Sequence, residues 1–281
     1  MQNDYQALTN IASQVRRDIV RMVHNAGNGH PGGALGCTEL LVLLYFDIMQ
    51  HQKDFTMNGD NEDLFFLSNG HISAVWYSVL ARSGYFPVEE LATHRKINSR
   101  LQGHPTTHEK LPGVRIASGS LGQGLSVAIG AALTKKINED SRWVYVLMGD
   151  GEQQEGQIWE AAIFAAHRQV DNLIAFIDLN EQQIDGGTEQ VMANRDLSAK
   201  YEAFGWEVFA CDGNDLEALK TIIEQAQQGQ NNGKPKMILM QTVMGQGVDF
   251  MMTGHHWHGK APNAEQANEA LAQLKETLGD F

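Results

Sequence analysis

Two short apolar runs end in residues that could hold a cation and an anion together. "WVYVLM" (Trp143–Met148) runs into Gly149, Asp150 and Gly151, and "NLIAFIDLN" ends in Asn180. A carboxylate, an amide oxygen and a nearby carbonyl are hard oxygen ligands of the kind Mg2+ takes, with phosphate oxygens and water completing its shell. A strand, a crossover helix and a return strand take about thirty residues, which is the separation of Asp150 from Asn180. Neighbouring parallel strands would therefore set both side chains at one edge of a sheet, where ligands bind in such folds. A helix starting near Gln154 would turn free amides and its positive dipole end toward an anion. The pattern predicts a diphosphate held through a divalent metal. Taken alone, the two residues also fit an acidic helix cap and a turn asparagine. A dinucleotide fingerprint is a poorer match, because "GDGEQQ" lacks the third glycine and the second strand ends in an amide rather than an acid.

Four histidines are the other chemistry-bearing group. His30, His71, His104 and His258 each sit in a loop word containing glycine or proline, unlike a core histidine on an apolar helix face. Singly, each fits a satisfied or solvent-facing histidine. Together they offer imidazoles that exchange protons near neutral pH. His255 and His256 stand beside His258, but no cysteine or acid lies at a ligand spacing, so a structural zinc site is rejected.

The elements that must position these residues alternate. Continuous apolar runs at Leu64–Ser68, Trp143–Met148, Leu173–Asp178, "WEVFAC" and "KMILMQTV" read as strands buried on both faces. Helical patterns cover Tyr5–Asn25, Thr38–Met49, Gln123–Lys136 and roughly Gln154–Arg168. In the last of these Ile158, Trp159, Ala162, Ile163 and Ala166 recur on one face. "NDLEALKTIIEQAQQ" opens with capping residues Asn214 and Asp215, and the tail places Leu271, Leu274 and Leu278 at helical spacing as a packing helix. The expected fold is α/β, a doubly wound parallel sheet with helices on both faces, over residues 1–281 as one domain.

Composition narrows the class. The chain has 281 residues, 42% of them apolar and 20% charged, and a formal charge of −13, which argues against a nucleic-acid partner. "LLVLLYFDIM" is too short to span a bilayer and contains Asp47, and "MQNDYQ" lacks a signal-peptide pattern. Cys37 and Cys211 read as buried small hydrophobes in a reducing compartment, so the expectation is a cytoplasmic protein with no membrane partner.

The segment "GDGEQQEGQIWEAAIFAAHRQVDNLIAFIDLNEQQIDG" resembles the thiamine diphosphate signature, GDG followed by a distant asparagine. Five further words resemble transketolase: "GNGHPGG" at Gly27–Gly33, "LSNGH" at Leu67–His71, "GHP" at Gly103–Pro105, "GSLGQG" at Gly119–Gly124 and "WHGKAP" at Trp257–Pro262. The resemblance covers essentially the whole chain but only the N-terminal, diphosphate-binding part of the family's usual polypeptide. It implies a thiamine diphosphate-binding fold of the diphosphate-domain type. It also implies Mg2+ or Ca2+ held by Asp150, Asn180 and the Gln182 carbonyl, with Gly151 near the diphosphate. Ile184 would meet the thiazolium, and Gly119 and Leu121 the aminopyrimidine; Ser120 stands where the family has a proline. Glu155 and Glu160 match acids near the family's subunit interface, and in isolation both read as surface helix acids. His71 and His104 are implied at the donor sugar's carbonyl and hydroxyl end. His30 and His258 are implied in proton transfer, with His258 and Lys260 near the diphosphate; a solvated lysine fits Lys260 as well.

In the family the glutamate that activates the pyrimidine, and most arginines for the sugar phosphate, lie in a second domain. The resemblance therefore implies the N-terminal subunit of a split transketolase. It would work on sugar phosphates in a heterotetramer with a C-terminal subunit; a truncated longer enzyme is the other explanation. Two further readings stand beside it: the α-subunit of a thiamine-dependent 2-oxoacid dehydrogenase, and a cofactor-binding module without catalysis. The words "GHPGG", "SNGH" and "WHGK" favour transketolase over the first, and the four histidines weigh against the second.

Overall fold

In the apolar runs 64–68, 143–148, 173–178 and 236–240 every residue is buried, as in a sheet covered on both sides. This computed structural model describes residues 2–281, so Met1 of "MQNDYQ" lies outside the described residues. The main sheet comprises β1 (Leu64–Leu67), β2 (Val144–Gly149) and β3 (Leu173–Leu179). Beyond a hairpin of β4 (Gln182–Gln183) and β5 (Gly186–Gly187) come β6 (Glu207–Asp212) and β7 (Lys236–Gln241). All main-sheet pairs are parallel, in the order β1-β2-β3-β7-β6. Around it run α1 (Gln2–Ala26), α2 (Pro31–Gly36), α3 (Thr38–Leu43), α4 (Ser73–Arg82) and α5 (Gly124–Ile137). They are followed by α6 (Gly156–His167), α7 (Thr188–Met192), α8 (Leu197–Ala203), α9 (Leu216–Gln228) and α10 (Ala264–Gln273). The expected α/β sheet is present.

Local chemistry sets the ends of these elements. The Asp215 side chain caps α9 by accepting from the Glu217 and Ala218 amides, and Asn263 with Gln266 forms a reciprocal capping box on α10. Asn214, expected as a cap, instead donates to the Gly36 carbonyl and accepts from the Val243 amide, tying α2 to the loop after β7.

Several expectations shift. The helix expected over Thr38–Met49 is α3 followed by a wider π-turn at Leu44–Ile48, where Asp47 meets Lys220 at 2.6 Å. On α6 the buried face is Ile158, Ala161, Ala162 and Ala165, which leaves Ile163 and Phe164 exposed. β6 is an edge strand, so it is only half covered, and Cys211 on it is half-buried, while Cys37 is fully buried. The tail helix stops at Gln273: Leu274 is buried, but Leu278 lies beyond the helix and is 51% exposed.

The segment after α10 is held by charge as well as by the apolar packing of Leu274 and Phe281. Arg17 on α1 grips Asp280 through two nitrogens at 2.9 and 2.7 Å, Gln14 adds a bond at 2.9 Å, and Arg17 also donates to the Leu271 and Leu274 carbonyls. The Arg17 hydrogen bond holds the Asp280 carboxyl down to about 2. Because the folded value is depressed, this contribution is complete above the ordinary aspartate range near 4 and fades as pH falls from there toward 2. Asp280→Asn is therefore expected to lower stability by about 1 to 2 kcal/mol at pH 7, discounted for partial solvent screening. The difference from wild type should vanish below about pH 2 in melting curves taken across pH.

Candidate functional site

The register of two strands builds the site. β2 pairs with β3 so that Gly149 lies opposite Asp178, which sets the loops after both strands side by side at the carboxyl edge of the sheet. Asp150 is 2% exposed. Its carboxylate accepts from the Gly151 amide at 2.6 Å, the Glu181 amide at 2.7 Å and the Thr188 hydroxyl at 3.2 Å. Asn180 is held at both ends of its amide: Nδ2 donates to Asp178 at 2.8 Å, and Oδ1 accepts from the Gln182 amide at 2.9 Å. That turn needs Glu181 in the left-handed region, at φ 60°.

Behind the turn lies a second acid. Asp178 is fully buried and accepts from the Thr242 hydroxyl, the Cys37 thiol and Asn180. Burial raises its carboxyl, and burial followed by the neighbouring Asp178 charge pushes Asp150 up to about 7. Two close carboxylates shielded from water are costly without a cation between or beside them.

These loops floor a cavity of about 350 Å³. Its lining includes His30, His71, Gly119, Leu121, Asp150, Gly151, Glu155, Asn180, Gln182, Ile184 and His258. His30 stands at the start of α2, His71 in the turn after β1, and His258 after a short turn anchored by buried Trp257. Ring centres lie 5.0 Å apart for His30 and His71, 5.1 Å for His71 and His258, and 5.8 Å for His30 and His258. His104 is exposed at the mouth, with its ring centre 6.5 Å from that of His30. Gly119, at φ 145°, packs so closely on His104 that a Cβ would meet the ring at 3.1 Å. Lys260 and Glu160 are exposed outside the lining, Lys260 lying over the Trp257 ring at 5.1 Å.

Burial lowers all four imidazoles. It takes His30 down to about 4, helped by His258, Arg95 and His104, and it lowers His71, His104 and His258 in the same direction. All four are neutral at pH 7 in the free chain, each with one nitrogen able to donate and one able to accept. His30 Nδ1, His258 Nδ1, Asn69 Oδ1 and Gln183 Nε2 are buried without hydrogen-bond partners among the described residues. All four belong to residues lining the cavity, as expected where a polar ligand completes the network. No lysine or arginine lines it among the described residues. A larger opening of about 590 Å³ lies on the other side of Asp150, between Glu181 and Ser198, and none of the four histidines lines it.

Sequence reasoning missed Glu152, Asp178, Asn69 and Gln183. Asp178 could have been flagged as a charge closing a strand that is otherwise wholly apolar. Glu152 and Gln183 stand beside signature residues and carry no signal of their own.

Residues 8–280 match the family described as Transketolase, thiamine diphosphate binding domain. The chain belongs to this family. It is 38% identical over 273 residues to a protein named as one of the subunits of the apulose-4-phosphate transketolase of Actinobacillus succinogenes, covering 97% of each chain. It is 38% identical to 6-deoxy-6-sulfo-D-fructose transketolase subunit SqwG of Clostridium sp., covering 94% of each. A transketolase from Pichia stipitis in complex with xylulose 5-phosphate superposes with a TM-score of 0.89 at 31% identity, covering 98% of this chain and 42% of that one. The Leishmania mexicana enzyme gives 0.88 at 27% identity, with 97% and 42% coverage. The chain thus spans about two-fifths of the length of the solved transketolases it matches.

The acid pair yields a test in this transketolase-family chain. Asp150→Asn removes a buried charge that burial and Asp178 disfavour but turns an NH2 toward one of the donors its carboxylate satisfies, so without metal the melting temperature should shift by only a few degrees. Millimolar Mg2+ or Ca2+ with thiamine diphosphate should raise the wild-type melting temperature and leave that of the variant unchanged.

Proposed function

We propose that this chain is the diphosphate-binding subunit of a two-chain transketolase, residues 1–281 forming its single domain. With a partner subunit carrying the pyrimidine-binding domain, in a heterotetramer, it transfers a two-carbon ketol unit from a ketose phosphate to an aldose phosphate. The observation that carries this reading is the gathering of neutral His30, His71 and His258 on one cavity whose floor is the Asp150–Asn180 turn, with His104 beside them. The match, from end to end, to proteins themselves named as transketolase subunits supports the division into two chains.

The donor set suits a hard divalent cation. Asp150, the Asn180 amide oxygen and the Gln182 carbonyl would hold Mg2+ or Ca2+. An anionic diphosphate entering an acidic cavity without lysine or arginine calls for such a bridge. In this reading Gly151 meets the diphosphate with its main chain, and His258 and, from outside the lining, Lys260 serve that end. Thiamine diphosphate, when bound, supplies the nucleophilic carbon that takes up a carbonyl substrate. Leu121 and Gly119 offer the aminopyrimidine a loop, and Ile184 the thiazolium an apolar contact.

The protein's own part is proton handling. His71 and His104 hold the donor's carbonyl and hydroxyl groups, and a neutral imidazole N–H there stabilises a developing oxyanion. His30 and His258 exchange protons with substrate hydroxyls. Their lowered pKa values keep an acceptor nitrogen free at pH 7. The cations for the distal phosphate come from the partner in this reading. The relatives named for apulose 4-phosphate and 6-deoxy-6-sulfo-D-fructose suggest ketoses with a terminal anion as the substrate class. Their names weigh toward transketolase and away from a 2-oxoacid dehydrogenase, and the intact histidine cluster weighs against a non-catalytic module.

Val127 on α5 and Ile163 and Phe164 on α6 are exposed near Glu155 and Glu160 and the Gly119–Gly124 loop. This surface suits the subunit interface, which for an obligate assembly buries more than about 2,000 Å². Free Cys37 and Cys211 suit a reducing cytoplasm.

Purified chain assayed alone should transfer no ketol unit, and adding the pyrimidine-domain subunit should restore transfer. In the assembled enzyme, His71→Ala and His104→Ala should each lower turnover about 100- to 1,000-fold while calorimetric cofactor affinity stays nearly constant. Full activity from the lone chain, or wild-type turnover in both variants, would contradict the proposal.

A further inference from the structure

Glu152 is 1% exposed, lines the cavity, and hydrogen-bonds to none of the groups assigned above to metal or substrate. Its Oε1 accepts from the Ser68 hydroxyl at 2.5 Å and the Gly122 amide at 2.8 Å, and its Oε2 accepts from the Gly149 amide at 3.0 Å. Ser68 Oγ in turn accepts from the Gly124 amide at 3.0 Å. One carboxylate thus joins the end of β1, the loop Gly119–Gly124 and the end of β2. In the thiamine diphosphate reading the loop Gly119–Gly124 faces the aminopyrimidine, and the end of β2 leads into the diphosphate turn Gly149–Gly151.

Resting on the thiamine diphosphate reading, we infer that Glu152 is the positioning residue that fixes the distance between these two loops. It thereby presets the site for a ligand that must touch both at once. Only a carboxylate can do this. All three donors point inward, and both oxygens of one side chain must accept. The amide of glutamine offers one oxygen, and its NH2 would face either the Gly149 amide or the Ser68 and Gly122 donors. An aspartate is one methylene too short to span the three segments. A ligand that reaches only the diphosphate turn gains nothing from the fixed spacing; one that bridges both loops gains from not having to order them.

This separates positioning from general structural support. Wild type, Glu152→Gln, Ser68→Ala and the double variant, each full-length and assembled with the pyrimidine-domain subunit, are titrated calorimetrically in Mg2+, once with thiamine diphosphate and once with inorganic diphosphate. Glu152→Gln should weaken thiamine diphosphate about tenfold or more and inorganic diphosphate by less than about twofold. Ser68→Ala should shift the same ratio in the same direction by less, and the double variant should lose less than the product of the two single losses, because both act on one clamp. If Glu152→Gln does not fold, Ser68→Ala alone must show the selective loss. Equal weakening of both ligands, or multiplicative losses in the double variant, would overturn the inference. A wild-type chain that binds inorganic diphosphate with Mg2+ but gains nothing from the thiamine portion would also overturn it. Failure of wild type to bind either ligand would overturn the thiamine diphosphate reading itself.

Discussion

Everything at this site depends on the pairing of β2 with β3. The parallel register puts Gly149 opposite Asp178, so the chain leaves both strands at the same height and the two loops share one space. A one-residue slip would turn every side chain of β3 to the opposite face and move the Asn180 turn off the cavity. That register is strongly specified, because Val144–Met148 and Leu173–Asp178 are buried residue by residue. The apolar runs thus do two jobs: they form the sheet's core, and they hold oxygen ligands against their tendency to separate. Asp150 and Asp178 in particular are kept in a place neither charge favours, and the burial of their neighbours holds them there.

The same burial tunes the imidazoles. A cavity floored by acids would raise the pKa of a solvated histidine. Here desolvation dominates and lowers it, so the rings stay neutral above a floor of buried carboxylates. Charge and proton transfer are thereby divided between two layers of one cavity. In the proposed reading, oxygen ligands on the strand ends would take the ion and the diphosphate, and the imidazoles would meet hydroxyls and carbonyls. Ile184 remains 58% exposed, and Ile163 and Phe164 are also uncovered, which suits a site completed by a second chain.

How much of this was legible in the sequence follows from what each residue depends on. The strands and the Asp150–Asn180 spacing were readable because a buried parallel strand writes itself as an uninterrupted apolar run. The histidines stood out because they sit among glycines and prolines rather than on apolar faces. Side-chain direction was harder. Ile163 matched a helical stripe, yet α6 turns its alanines inward, since close packing against α5 selects small residues over large ones. Leu278 kept helical spacing beyond the helix end because Arg17 and Gln14 hold that segment as an extended strap. Glu152, Asn69 and Gln183 were invisible for another reason: their roles arise from donors and gaps on distant segments, and no local pattern encodes those. Lys236 is a similar case, a fully buried lysine whose charge is satisfied by carbonyls of Asp171, Gly229 and Lys234.

The central claim is that a divalent cation sits between the ends of β2 and β3 and holds the diphosphate there. Anomalous diffraction from crystals of the assembled enzyme grown with Mn2+ or Ca2+ and thiamine diphosphate would test it most directly. The account predicts one strong peak within about 2.0 to 2.6 Å of Asp150 Oδ, Asn180 Oδ1 and the Gln182 carbonyl oxygen, with phosphate oxygens completing the shell. A cofactor bound with no peak at that point, or a metal ligated by the histidines instead, would contradict it.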